Sequence, residues 1–480
     1  MDAEVAVSDT DPARDFAAGL KDLAVCVAGL GVSGPPVARA LLHRGARVTV
    51  VDGRDDDTAR RVADSLRAEG AEVVLGAHDL PPGTGLVVTS PGWRPDAPVL
   101  VAAARAGIEV IGDVELAWRL APAGQTWLAI TGTNGKTTTV RMLEAMLRAD
   151  GRDAVAVGNV GTPIIEAALP GPDGHHPDVL AVELSSFQLH WSSSLRPHAA
   201  VVLNVAPDHL DWHGGTEPYA AAKGRVFGTG TVRVANAADP WSERLATEHG
   251  DPATPLVRFS LGTPRPGELG VVEDLLVDRA FTADPASTAE ELAALGDVRP
   301  PAPHNVANAL AAAALARSVG VAPESVRAGL RAFAPEPHRI ARVATVSGVD
   351  YVDDSKATNP HAAAASLAAY PAIVWIAGGL LKGAEVDDLV REAAPRLRGA
   401  VLLGRDRDRL RAALAAHAPD VPVTDIAETG GTAMAEAVAA AAGLARPGDT
   451  VLLAPAAASM DMFENYTARG RRFAEAVEKL

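Results

Sequence analysis

Residues 128–140 restrict the possible folds of this chain more than any other stretch. They read Leu-Ala-Ile-Thr-Gly-Thr-Asn-Gly-Lys-Thr-Thr-Thr-Val. The order is a short apolar strand, a glycine loop and the first turn of a helix. Such a loop points backbone N–H groups at an anion, and the helix start adds the positive end of its dipole. Gly132, Thr133, Asn134, Gly135 and Thr138 supply the loop, Lys136 can neutralise a phosphate, and the Thr137 hydroxyl can ligate magnesium. The stretch reads as an ATP site on an α/β sheet. It departs from the strict G-x-x-x-x-G-K-[ST] pattern, because Ile130 stands where the first glycine belongs.

A second glycine turn lies earlier. The strand-like run from Leu23 ends in G-x-G-x-x-G at Gly29, Gly31 and Gly34, followed by a helix to His43, a strand over 46–51 and then Asp52. Taken alone, this fingerprint predicts NAD. Read more broadly, it is a doubly wound half-domain that holds a diphosphate at its first turn. A further strand over 85–89 runs into Ser90-Pro91-Gly92, and ligands of open α/β sheets gather at such strand ends.

Chemistry-bearing residues recur at later strand ends. Glu183 closes a strand over 179–184, and His209 follows the next strand within Asp208-His209-Leu210-Asp211. Lys223 falls in a helical stretch, where a solvated lysine is the ordinary reading. His304, Asn305 and Asn308 open a helix, and asparagine is a usual cap there. Asp354 and Lys382 each follow a strand. The stretch 253–303 is ragged and rich in proline, and its elements cannot be placed. Loop composition divides the chain into a disordered lead (1–20), a Rossmann-like unit (21–121), a phosphate-loop unit (122–334) and a second Rossmann-like unit (335–480). The fold class is α/β with mostly parallel sheets.

Composition excludes several functions. Lys and Arg total 44 against 60 Asp and Glu, a formal charge of −16, which argues against a nucleic-acid partner. Cys26 is the single cysteine, so there is no disulfide framework. The lead lacks a signal peptide, and the apolar runs near 309–316 and 372–381 are too short or glycine-interrupted to span a bilayer. The expectation is a cytoplasmic protein without membrane insertion.

The order of motifs resembles the Mur ligases, in particular their D-glutamate-adding branch, over nearly the whole chain from about residue 23. The resemblance rests on the Thr-Gly-Thr-Asn-Gly-Lys-Thr-Thr loop and on Glu183-Leu184-Ser185-Ser186-Phe187-Gln188-Leu189. It rests further on Asn204 to His209, Ala221-Ala222-Lys223, His304 to Asn308, Asp354 to Asn359, Ala458 to Asp461 and Asn465 to Gly470. The family loop also lacks the glycine that Ile130 replaces.

The resemblance implies three domains and an ATP-dependent ligase of peptidoglycan precursor synthesis, joining D-glutamate to UDP-N-acetylmuramoyl-L-alanine through an acyl phosphate. It implies that the first unit holds UDP-substrate rather than NAD, through Val32, Ser33, Asp52, Arg54, Ser90, Pro91 and Gly92, with Asn159 and His209 from the central unit. Lys136 and the loop would hold ATP phosphates, Asn305 and Asn308 the adenine, and Arg339 and Asp354 the phosphate and ribose. Thr137 and Glu183 would bind one Mg²⁺ and His209 a second. Lys223 would be carbamylated and serve as an anionic metal ligand, which reverses the ordinary reading of that lysine. Lys136, Glu183, His209 and Lys223 are thus the implied catalytic set. Thr358, Lys382, Ser459, Met460 and Tyr466 would form the D-glutamate pocket. Met460 and Tyr466 stand where relatives often carry Leu and Phe, Ala457 where some carry cysteine, and Leu380-Leu381 where a more polar pair is usual. A monomer that closes around its substrates is expected. The competing readings are a related Mur or folylpolyglutamate-type ligase, an NAD-dependent oxidoreductase, and a non-catalytic nucleotide-binding regulator.

Overall fold

The computed structural model describes residues 12–171, 173–335 and 337–480. Its first sheet is all parallel, in the order Glu72–Leu75, Arg47–Asp52, Ala24–Ala28, Leu86–Thr89, Glu109–Gly112. Val25, Val27, Val50, Val87 and Val88 are buried whichever face they point to, as expected for parallel strands covered by helices on both sides. The chain leaves Ala24–Ala28 to one side and later returns to its other side, which opens a crevice at that strand's carboxyl end.

The second sheet has nine strands: Glu290–Ala294, Leu275–Asp278, Glu268–Val272, Leu256–Phe259, Val232–Asn236, Ala199–Val202, Thr126–Thr131, Val179–Glu183 and Ala154–Gly158. Thr126–Thr131 pairs in parallel with Val179–Glu183 on one side and Ala199–Val202 on the other. The phosphate loop therefore leaves the sheet between the strand ends that carry Glu183 and lead to His209. The stretch that the sequence left unplaced supplies four strands at one edge, the last two antiparallel. Each is only four or five residues long and shares its face with charged side chains, which obscures the alternation that marks a strand.

The third sheet runs Ala341–Val346, Val349–Asp353, Thr450–Leu453, Ile373–Gly378, Leu397–Leu403, Val423–Asp425, parallel except for the first pair.

The packing forms two compact units. One holds the first two sheets; the other holds the third sheet together with residues 206–208 and 296–307. The composition break near residue 121 is therefore not a break in packing. Leu116 and Leu120 share one core with Trp127 and Leu180, and Trp118 meets Trp127 edge-on with ring centroids 5.2 Å apart. The expected disordered lead needs correction over its last part: Pro12–Gly19 is helical. Phe16 packs against the core and lies under the Arg119 guanidinium, and this apolar anchor orders a segment whose composition alone reads as polar. Residues 1–11 of that lead lie outside the described residues. Among the described residues, no helix is long and apolar enough to cross a membrane.

Candidate functional site

The phosphate loop forms because strand Thr126–Thr131 is buried apolar chain and Gly135 allows the turn into helix Lys136–Ala149. Gly135 has φ +85°, and a Cβ there would lie 2.5 Å from Asn308 Oδ1, so only glycine fits. Asn204 locks the loop from the neighbouring strand end. Its Oδ1 accepts from Asn134 N–H at 2.9 Å, its Nδ2 donates to Asn134 O at 3.1 Å, and its carbonyl accepts from Thr133 N–H at 2.9 Å.

Two lysine ammonium groups converge on one carbonyl of this loop. Lys136 Nζ donates to Gly132 O and Thr133 O, both at 2.9 Å, and Lys223 Nζ donates to Gly132 O at 2.8 Å. Lys223 is only 2% exposed, so the solvated reading that its helical context suggested is wrong here. Its Nζ lies 4.6 Å from the centre of the Tyr219 ring, whose hydroxyl is 3.0 Å from Thr133 Oγ1.

Glu183 ends the adjacent strand and is buried. Asn159 Nδ2 donates to its Oε1 at 2.9 Å, while Oε2 is buried without a hydrogen-bond partner. Such an oxygen calls for a cation or a proton. The donor set therefore fits a divalent ion, although among the described residues no three His, Cys, Asp or Glu side chains cluster to hold one by themselves. A carboxylated Lys223 would add the missing oxygen donor. His209 has φ +52°, caps the short helix Leu210–His213, and packs against Phe187 with ring centroids 4.7 Å apart. Burial and nearby positive groups hold His213 down at about 4, and its Nε2 lies 2.9 Å from Ser186 Oγ.

The glycine turn of the first sheet closes on itself: a Cβ at Gly34 would lie 1.9 Å from Gly29 O. Val32 is exposed at its tip, and Ser33 caps the following helix position without using its side chain. Ser90 Oγ is buried beside Gly29 and lacks a partner. Pro91 and Gly92 continue that turn. Burial pushes the Asp52 carboxyl up, but Arg54 and the N–H groups of Arg54 and Leu30 outweigh it and hold it below the usual range. Its oxygens accept from Leu30 N–H at 2.6 Å and from Arg54 N–H at 2.8 Å. That carboxylate fastens the turn to Arg54.

On the second unit, Thr358, Lys382 and Ser459 lie on loops after three adjacent strands. Leu380 and Ala458 exchange backbone hydrogen bonds of 2.8 and 2.9 Å, and Ala456 N–H donates to Ala357 O at 3.0 Å. These bonds gather the loops that bear the proposed amino-acid pocket. Met460 is exposed and Tyr466 starts the last helix, its ring 3.9 Å from Lys356 Nζ. Asp354 is buried, and desolvation lifts its carboxyl to about 6 against the pull of Ser366 and Arg339. Asn305 is buried and donates to Pro300 O at 3.2 Å.

The sequence missed Tyr219 and Arg469 as single residues. Arg469 is buried and donates to Ser355 Oγ, Ser355 O and Ala457 O at 2.9, 2.8 and 3.0 Å, stitching together the loops after two adjacent strands. Burial pulls its guanidinium down to about 10. Its only sequence signal is an arginine inside the run Asn465 to Gly470.

Three family descriptions match along the chain: Mur ligase MurD-like, N-terminal domain, over residues 23–112; Mur ligase middle domain over 130–316; and Mur ligase, glutamate ligase domain, over 338–457. The UDP-N-acetylmuramoylalanine--D-glutamate ligase of Thermobifida fusca is 74% identical over 463 residues, covering 96% of this chain and 99% of that protein. The enzyme of that name from Streptomyces coelicolor is 59% identical, covering 95% and 98%. The structure of UDP-N-acetylmuramate-alanine ligase MurC from Thermotoga maritima matches with a TM-score of 0.55 at 18% identity, covering 95% of this chain and 99% of that one, which speaks to the fold. Matched in sequence over 96% of its length by a D-glutamate ligase and in fold by a further Mur enzyme, this chain belongs to the Mur ligase family.

Proposed function

We propose that this chain is an ATP-dependent, cytoplasmic ligase that joins D-glutamate to UDP-N-acetylmuramoyl-L-alanine in peptidoglycan precursor synthesis. The observation that carries the reading is the convergence of Lys136 and Lys223 on Gly132 O, beside the buried, half-satisfied Glu183. The relatives' names supply the substrates.

In the first step an oxygen of the alanyl carboxylate attacks the γ-phosphorus of ATP. The bond to the β-phosphate oxygen breaks, giving an acyl phosphate and ADP. This step is mainly positioning and charge neutralisation. Lys136 and the N–H groups of 132–138 hold the phosphates, and Asn308 lies against the loop. In the second step the neutral amine of D-glutamate attacks the acyl carbon, its extra proton goes to solvent, and inorganic phosphate leaves with the electron pair of the acyl C–O bond. Thr137, Glu183, His209 and carbamylated Lys223 would hold magnesium, which would neutralise charge on the transferring phosphoryl group. Carbamylation forms an N–C bond between Lys223 Nζ and CO₂ and releases two protons from the ammonium, turning a cation into an anionic oxygen ligand.

Val32, Ser33, Asp52, Arg54, Ser90, Pro91, Gly92 and Asn159 are assigned to the UDP-substrate. On the second unit, Asn305, Arg339 and Asp354 are assigned to ATP, and Thr358, Lys382, Ser459, Met460 and Tyr466 to D-glutamate. The test is phosphate release from ATP with UDP-N-acetylmuramoyl-L-alanine, with D-glutamate present or replaced by L-alanine, L-lysine or diaminopimelate. Release that depends on D-glutamate alone supports the assignment; release without that dependence removes it.

A further inference from the structure

The 90–92 turn sits against the diphosphate-type glycine turn: a Cβ at Gly29 would lie 2.8 Å from both Ser90 Oγ and Trp93 Nε1. Directly after it, Arg94 reaches from the first sheet to the second. Its Nη2 donates to the carbonyl of Asp211 at 2.9 Å, and its Nη1 lies 3.6 Å from Asp211 Oδ2. Asp96 steadies the guanidinium, accepting from Nε at 3.3 Å.

Asp211 belongs to the four-residue helix Leu210–His213, whose N-cap position is His209. So short a helix cannot satisfy its own last carbonyls, and Arg94 satisfies one of them from outside. The helix is otherwise tied to His209 through bonds from Trp212 and His213 N–H to His209 O, both 3.1 Å. His209 itself is held in a left-handed conformation that a non-glycine residue adopts only when its surroundings impose it. Arg94 is 47% and Asp211 83% exposed on their side chains, so the pair adds little to stability. What it fixes is geometry.

We propose that Arg94 is a positioning residue, coupling occupancy of the 90–92 turn on the first sheet to the orientation of His209 on the second. A ligand bearing a nucleoside diphosphate settles on the glycine turn and the 90–92 turn. Through Trp93 and Arg94 it braces the helix that presents His209. This rests on the assignment of Ser90 to Gly92 to the UDP end of the substrate and of His209 to its reacting end.

The test uses the full chain labelled at histidine ¹³Cε1, free of metal and ATP and titrated with UDP alone. The His209 signal, one of 13 histidines, is assigned by its loss in His209→Ala. UDP is expected to move the His209 signal in the unaltered chain. In Arg94→Met that response is lost, while calorimetric UDP affinity changes by less than about threefold. Arg94→Lys, which keeps the charge and a donor group but not the planar fork, restores part of the response. Melting of all three proteins is expected to agree within about 2 °C. An equal His209 response in Arg94→Met, or no response in an unaltered chain that binds UDP, overturns the coupling. Failure of the unaltered chain to bind UDP in the calorimeter overturns instead the assignment beneath it.

Discussion

Ser194 holds Glu115 from both its hydroxyl and its backbone: the hydroxyl donates to Oε1 at 2.6 Å, and the N–H is shared between Oε1 and Oε2, each at 3.1 Å. Ser193 N–H adds a bond of 2.9 Å to Oε2, and Arg119 Nε one of 2.8 Å to Oε1. Glu115 lies on the helix that leaves the first sheet, and the serines belong to a loop of the second. The side chain is fully buried. Glu115→Ala leaves these donors without a partner and is expected to cost about 3–5 kcal/mol. Urea unfolding measures it, and a loss below about 1 kcal/mol would contradict so central a role.

The same carboxylate carries a pH signature. Burial pushes it up, but Ser194, Ser193 and Arg119 outweigh burial and hold it below the unfolded value of 4.5. Its contribution is therefore complete above pH 4.5 and is lost as pH falls through the lower folded value. Glu115→Gln should flatten the acid limb of a stability profile. A profile of unchanged shape would show that other groups set it.

His304 acts at higher pH. Burial holds it at about 4, well below 6.5, and its Nδ1 is buried without a partner. The unfolded chain binds the proton more tightly between those values, so stability falls as pH drops from 6.5 toward 4. The loss is about 3 kcal/mol at most. His304→Leu should remove that part of the slope in denaturant titrations at pH 7 and pH 5, and an identical slope would count against it.

Lys136→Ala removes a charge from the phosphate loop, not from the 29–34 turn. Turnover should fall by about 100-fold or more, while calorimetric affinity for UDP-N-acetylmuramoyl-L-alanine is retained. Loss of both together would mean that the two turns do not bind independently.

Lys223→Ala should abolish ligation, and a short carboxylic acid in the buffer should restore part of it by supplying the missing oxygen ligand. Activity equal to that of the unaltered chain would remove the carbamate role.

What the sequence made legible was local. Gly132, Gly135 and Lys136 fall within five consecutive residues, so their spacing alone implies a loop and its ligand chemistry. The 29–34 turn is equally local, although spacing could not tell UDP from NAD. The burial of Lys223 was not legible: it depends on Gly132, 91 residues away. Glu115 with Ser194 spans 79 residues and Arg469 with Ser355 spans 114. No pattern within a helix reports such partners. The proposed amino-acid pocket came only through family resemblance, because Thr358, Lys382 and Ser459 lie on loops that gather only when three strand ends are laid side by side.

The shared core of the first two sheets bears on how this enzyme melts. Leu20, Val50 and Leu116 belong to the same buried cluster as Trp127, Val182 and Ala235. Three architectural domains should therefore give two cooperative melting transitions in a calorimeter, not three. Mass action then spreads protection across that joint transition. UDP bound at the first glycine turn would delay heat inactivation of the ATP loop as well, so that one nucleotide shields the binding site of the other.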